Sequence, residues 1–262
     1  MISQLIFNGK NLRDFGVTIE HLPESAHPQR RGNGYKIAGR NGTQVREDGT
    51  FENYDQPYEI WFRDFSTNRD VYQLSRDLAG FLLGSSGFCR LEDTYEPEVY
   101  RMARYAGPLS IEAILRRYGR AKLEFDCQPQ RFLKSGEKPV SSNGTAFYLT
   151  NPTGFTAEPK ISVTGSGTVG IRVANWDTQG SEYTDIQLGM GSSSKTVVLD
   201  CAAFTAQVNG ADVDDGVSFS GSETYATFPK LGPHDYRIGP LTGEAFTGTI
   251  TKIEVIPRWW TL

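Results

Sequence analysis

The sequence predicts a mainly β chain of two domains with one helix. Three observations predict it: 28 glycines and 13 prolines with 12% aromatic residues, short apolar runs bounded by turn dipeptides, and one stretch of helical period among them. A length of 262 residues allows two ordinary domains, each able to bury a core without disulfides or metal.

In chain order, "SQLIFNGKNL" places an apolar run before the hairpin dipeptide Asn8-Gly9, and "FGVTIEHL" reads as the returning strand. Residues 23–34 are loop by composition, and a strand-rich block ends at "YEIWFRDF". The helix follows, with Val71, Leu74, Leu78, Phe81 and Leu82 on one face. Ser66 or Thr67 is the expected cap, Gly84 the stop, and Asp70, Arg76 and Asp77 the polar side. Strands are expected again at 88–92, 98–105, 109–118 and 121–128, the third half-buried by its alternation. Residues 133–145 read as a linker, so the expected domains are 1–135 and 136–262. The second is nearly all β signal, with strands from "PKISVT" to "GTITKIEVIPRWW" at the spacing of a two-sheet sandwich.

Charge narrows the function classes. Residues 1–135 carry 19 Lys and Arg against 18 Asp and Glu, and residues 136–262 carry 8 against 13. Neither half has the basic excess that sequence-specific nucleic-acid binding by a single chain needs. Cys89, Cys127 and Cys201 are far apart and odd in number, the pattern of buried free thiols. No signal-peptide pattern and no apolar run of about 20 residues occurs, which predicts a soluble chain without membrane partners.

Local motifs give no catalytic centre. "GYKIAGRN" has the glycine spacing of a P-loop, but Arg40 and Asn41 replace the lysine and hydroxyl, and no helix follows. Gly39 and Gly42 read instead as the hinge of an arm. "GSGTVG" at 165–170 matches a dinucleotide fingerprint in letters, yet leads into a strand and reads as a hairpin turn. "ADVDDG" at 211–216 has broken calcium-loop spacing, and His21, His27 and His234 stand apart, so no metal or cofactor is expected. Trp176, at a strand end, is the candidate for stacking on a sugar.

Several features occur in an order that resembles a known family. Phe7-Asn8-Gly9, Asp14-Phe15-Gly16, Gly39-Arg40-Asn41-Gly42, Leu82-Leu83-Gly84 and the strand pair from Leu91 through Tyr100 supply them in the first half. "KTVVLDCAAFTAQVNGADVDD", "ATFPKLGPHDYRI" and the closing "IPRWWTL" do so in the second. Together they resemble the distal tail protein (Dit) family of phages with long non-contractile tails. The resemblance implies an N-terminal β-sandwich-like domain that forms a hexameric ring and a C-terminal galectin-like β-sandwich. It implies a non-enzymatic baseplate hub at the virion tail tip, made in the host cytoplasm. Such a hub joins the tail tube protein and tape-measure end to tail-associated lysin and receptor-binding proteins, with DNA passing through.

For the ring, the candidate contacts are Tyr35, Arg40, Phe51, Tyr54 and Tyr58, in a 32–58 segment expected to project as a hairpin toward the adjacent subunit. The alternatives are a carbohydrate-binding module protein that adheres to cell-wall glycans and a tail-associated glycosidase or peptidase.

Overall fold

The computed structural model describes residues 4–63, 69–105, 107–213, 216–222 and 227–262. It divides into two compact units, Met1–Arg131 with Leu262 and Phe132–Thr261.

The first unit contains β1 (Leu5–Phe7), β2 (Lys10–Asn11), β3 (Val17–Ile19), β4 (Arg30–Tyr35), β5 (Gln44–Phe51), β6 (Tyr54–Phe62), α1 (Val71–Gly84), β7 (Cys89–Asp93), β8 (Val99–Tyr105), β9 (Ile111–Leu115) and most of β10 (Tyr118–Leu133). One sheet runs in the order β2, β1, β7, β8, β10, β6, β3, and β9 also pairs with β10. The sheet curls enough for β1 and β3, near its two ends, to touch. Asn8 and Gly9 both have positive φ, which closes the β1–β2 hairpin as the dipeptide predicts. Gly16 is required by position: its φ is +76°, and a Cβ there would lie 3.0 Å from the Arg63 carbonyl oxygen.

Helix α1 forms where the apolar period predicts it. Its cap is Asp70, whose Oδ1 accepts from the Gln73 amide at 2.8 Å while Gln73 Oε1 accepts from the Asp70 amide at 3.1 Å. The expected caps Ser66 and Thr67 lie outside the described residues. Val71, Leu74, Leu78 and Leu82 are buried, each worth about 1.5–3 kcal/mol of transfer free energy. Leu74, Leu78 and Leu82 close a core in which the Phe7 ring lies 5.2 Å from that of Phe125 and 6.1 Å from that of Phe81.

The second unit contains β22 (Trp260–Thr261) and a two-sheet sandwich made of β11 (Val140–Ser142), β12 (Phe147–Thr150), β13 (Lys160–Ser166), β14 (Thr168–Asn175), β15 (Tyr183–Gly189), β16 (Lys195–Asp200), β17 (Thr205–Val208), β18 (Ala211–Asp212), β19 (Val217–Gly221), β20 (Asp235–Pro240) and β21 (Thr249–Ile256). One sheet has the order β11, β21, β13, β16, β17, β18, and the other β12, β20, β14, β15, β19. Ile161, Val163, Leu199 and Val255 of the first meet Ile171, Ile186, Leu188 and Ile238 of the second in one core.

Four expectations need correction. Residues 133–145 are not a linker, because Lys134–Glu137 form a 3-10 turn and Val140–Ser142 pair with β21. Residues 23–34 are not all loop, since β4 begins at Arg30 and its glycines hid the strand signal. Strand β9 is exposed rather than half-buried along most of its length. "GSGTVG" is not a hairpin turn: β13 and β14 belong to different sheets, so the segment crosses between them. Glycine is needed there because a Cβ on Gly167 would lie 2.6 Å from the Gly248 Cα.

Candidate assembly surface

Strands β4 and β5 form a sheet of their own, and every residue from 29 to 50 is exposed. The pairing Tyr35↔Gln44, Gly34↔Val45 and Asn33↔Arg46 extends down from the tip and shifts register between Arg30 and Gly32. At the tip, the Arg40 amide donates to the Ile37 carbonyl at 3.2 Å, and Gly39 and Gly42 take φ of +80° and +88°. "GYKIAGRN" is therefore the tip of the arm and not its hinge.

The base is held by polar bonds instead of a core. The Glu52 amide donates to the Gln29 carbonyl at 2.8 Å, and Arg31 donates to both Glu52 carboxylate oxygens at 2.8 and 3.3 Å. That bond lowers the Glu52 pKa and raises that of Arg31. Arg30 pairs with Glu47 at 3.1 Å and lies over the Phe51 ring. In β5, Asp48 accepts from the Thr50 hydroxyl at 2.6 Å and its amide at 2.9 Å, which holds the Asp48 carboxyl below its usual range and fixes the kink at Gly49.

The expected contacts separate into two groups. Tyr35, 54% exposed, Arg40 and the partly buried Phe51 belong to the hairpin. Tyr54 and Tyr58 do not: they alternate inward along β6 and are core residues, 8% and 1% exposed. The projecting segment is thus 29–51, not 32–58. What sequence reasoning missed is the polar cluster beneath those tyrosines, where Tyr58 donates to Asp93 and Arg101 donates to Tyr54. Arg101 alternates into the core along β8, but a buried arginine has no local sequence mark.

In the sandwich, Trp176 follows β14, is 46% exposed and meets the exposed Tyr148 edge-to-face at 5.3 Å. Next to it Asp177 Oδ2 and His234 Nδ1 are 3.0 Å apart. A groove of about 460 Å³ opens nearby, lined by Asn175, Glu182, Tyr183, Lys230 and His234 among others. Asp214 and Asp215 of the broken calcium loop lie outside the described residues.

No family model and no curated protein matches the chain. Solved structures do. The crystal structure of SPP1 Dit (gp 19.1), described as a paradigm of hub adsorption apparatus in phages infecting Gram-positive bacteria, aligns over 97% of this chain and 98% of its own, with TM-score 0.70 and 13% identity. The chain has the Dit fold. Chains of the phage P2 baseplate in its activated conformation match as well. With calcium the TM-score is 0.52 at 14% identity, covering 97% of each chain. With strontium it is 0.50 at 12% identity, covering 97% of this chain and 98% of the other. The Dit fold thus spans both compact units of this chain, where the residues carrying the resemblance lie.

Proposed function

We propose that this protein is a structural hub of a phage tail tip, assembled as a hexameric ring through its first unit. The observation that carries this reading is the match to the Dit fold over 97% of the chain. The exposed hairpin supports it, because an isolated two-stranded hairpin is marginal in water and gains stability when a neighbour covers it. Its work is geometric and not enzymatic. Cyclic pairing between identical copies closes without a free edge, leaving a channel for DNA and outer surfaces for lysin and receptor-binding components. Light scattering with negative-stain imaging tests it: rings are expected, and a chain that stays monomeric with and without a tail-tube partner overturns it.

A second reading draws on the exposed Tyr148–Trp176 pair, which offers an aromatic face of the kind sugars stack on. It makes the sandwich an accessory carbohydrate-binding surface. Glycan-array binding that disappears in Trp176→Ala supports it, and an empty array rejects it.

A further inference from the structure

We infer that the hairpin arm of one copy lies across the outer face of β6 and β10 in a second copy. This rests on the ring reading and names the surface that receives the arm. The arm is basic: residues 29–51 contain Arg30, Arg31, Lys36, Arg40 and Arg46 against Glu47 and Asp48. Residues 29–50 of it are exposed, which leaves both of its strands open to a neighbour.

The receiving face is acidic. Strand β6 buries Tyr54, Gln56, Tyr58, Ile60 and Phe62 against the core and turns Asp55, Pro57, Glu59 and Trp61 outward. Register places Asp126, Glu124, Lys122 and Arg120 of β10 beside them in that order. Glu20 continues the face, its amide donating to the Glu59 carbonyl at 2.8 Å. Five carboxylates therefore stand against Lys122, Arg120 and the neighbouring Arg104, which pairs with Asp126 at 2.6 Å, so the face keeps an acidic excess opposite in sign to the arm's basic one. Opposite fields of this kind align two surfaces and set the register of docking.

Shape and apolar content agree with the charge. Eight residues of β5 extend for about 27 Å, close to the length of nine-residue β6. The arm presents exposed Tyr35, Ile37 and Val45. The face presents half-buried Pro57 and Trp61, the latter 4.4 Å from the Tyr118 ring and beneath the Arg120 guanidinium. A second copy is the occupant that supplies both halves in equal number and passes the contact around a closed ring.

Zero-length carbodiimide coupling of the full chain, mixed from light and ¹⁵N-labelled protein, tests this. Lys36 is the only lysine in the arm. Mixed-isotope cross-links from Lys36 to Asp55, Glu59 or Glu124 are expected. Reversing the arm (Lys36→Glu, Arg40→Glu, Arg46→Glu) or the face (Asp55→Lys, Glu59→Lys, Glu124→Lys) should raise the half-assembly concentration at least about ten-fold. Both reversals in one chain should restore it. All six positions are exposed, and circular dichroism checks that each variant folds. Rings that form without those cross-links, or a face reversal without effect, overturn the inference and leave the ring reading standing. A wild-type chain with neither rings nor cross-links overturns both.

Discussion

Tyr58 donates its phenolic hydrogen to Asp93 Oδ2 at 2.8 Å, and both side chains are buried. Arg101 Nη1 donates to the same oxygen at 3.3 Å and its Nε to the Tyr54 hydroxyl at 3.1 Å. Asp93 Oδ1 accepts the Tyr95 and Glu96 amides, both at 2.9 Å. Glu96 in turn meets Arg101 and Arg131, so the cluster holds two carboxylates and two guanidiniums. Arg101→Met should cost about 3–5 kcal/mol because it deprives the buried Asp93 carboxylate of its closest cation. Tyr58→Phe removes one hydrogen bond and should cost about 1–2 kcal/mol. Urea titrations of both variants check the order, and equal losses would count against a charge-balanced cluster.

The same cluster predicts alkaline behaviour. Burial first, then the Asp93 carboxylate, holds the Tyr58 pKa well above its usual value. A folded value above the unfolded one gives stability that is complete below about pH 10 and lost as pH rises beyond it. The denaturation midpoint of the wild type should therefore fall between about pH 9.5 and 11.5 more steeply than that of Tyr58→Phe. Parallel curves would rule this out.

The thiols give a chemical readout of packing. Burial pushes Cys127 and Cys201 up to about 12, whereas Cys89 lies partly exposed at the start of β7. A thiol held protonated is a poor nucleophile at neutral pH. Labelling with an aromatic disulfide at pH 8 should reach Cys89 alone in the folded chain and all three in guanidinium. Native labelling that survives Cys89→Ser would show that one of the cores opens.

In the sandwich, Arg258 donates to both Asp200 oxygens at 2.7 Å. It does so from a left-handed backbone, with φ of +59°, just beyond β21. This bond lowers the Asp200 pKa, helped by the Ala203 and Ala202 amides. A depressed carboxyl contributes stability above about pH 4 that is lost as pH falls through its lowered value. Arg258→Met should be less stable by about 1.5–3 kcal/mol at pH 7, with the gap narrowing between pH 4 and 2. A gap that stays constant on acidification would mean that packing, not the ion pair, is what the arginine supplies.

Legibility in the sequence followed the kind of force involved. Helix α1 and the sandwich strands were readable because burial imposes a period on Leu74, Leu78 and Leu82, or an alternation on "KTVVLD". Strand β4 was not, because Arg30–Tyr35 bury nothing and Gly32 and Gly34 leave no apolar mark. The five candidate contacts fall on two different elements for the same reason. Tyr35 and Tyr58 look alike as letters, and only the pleat of β6 sends Tyr58 inward. "GSGTVG" shows the limit for turns, since glycine spacing reports a tight approach of chains and not which sheets they join.

Removing the arm separates folding from assembly. Residues 29–50 contribute no buried side chain, and the Gln29 carbonyl already accepts the Glu52 amide, so a short Gly-Ser bridge can replace 30–50. Shortening a surface loop changes closure entropy by only about 0.6 kcal/mol per halving. The shortened chain should keep its far-ultraviolet spectrum, and its unfolding free energy should stay within about 0.5 kcal/mol of wild type. It should also sediment as a monomer at concentrations where the wild type forms rings. Deleting 43–50 alone should act the same way, because β4 then has no partner strand. Intact rings from either deletion would take the arm out of the assembly, and an unfolded product would show that it supports its own unit instead.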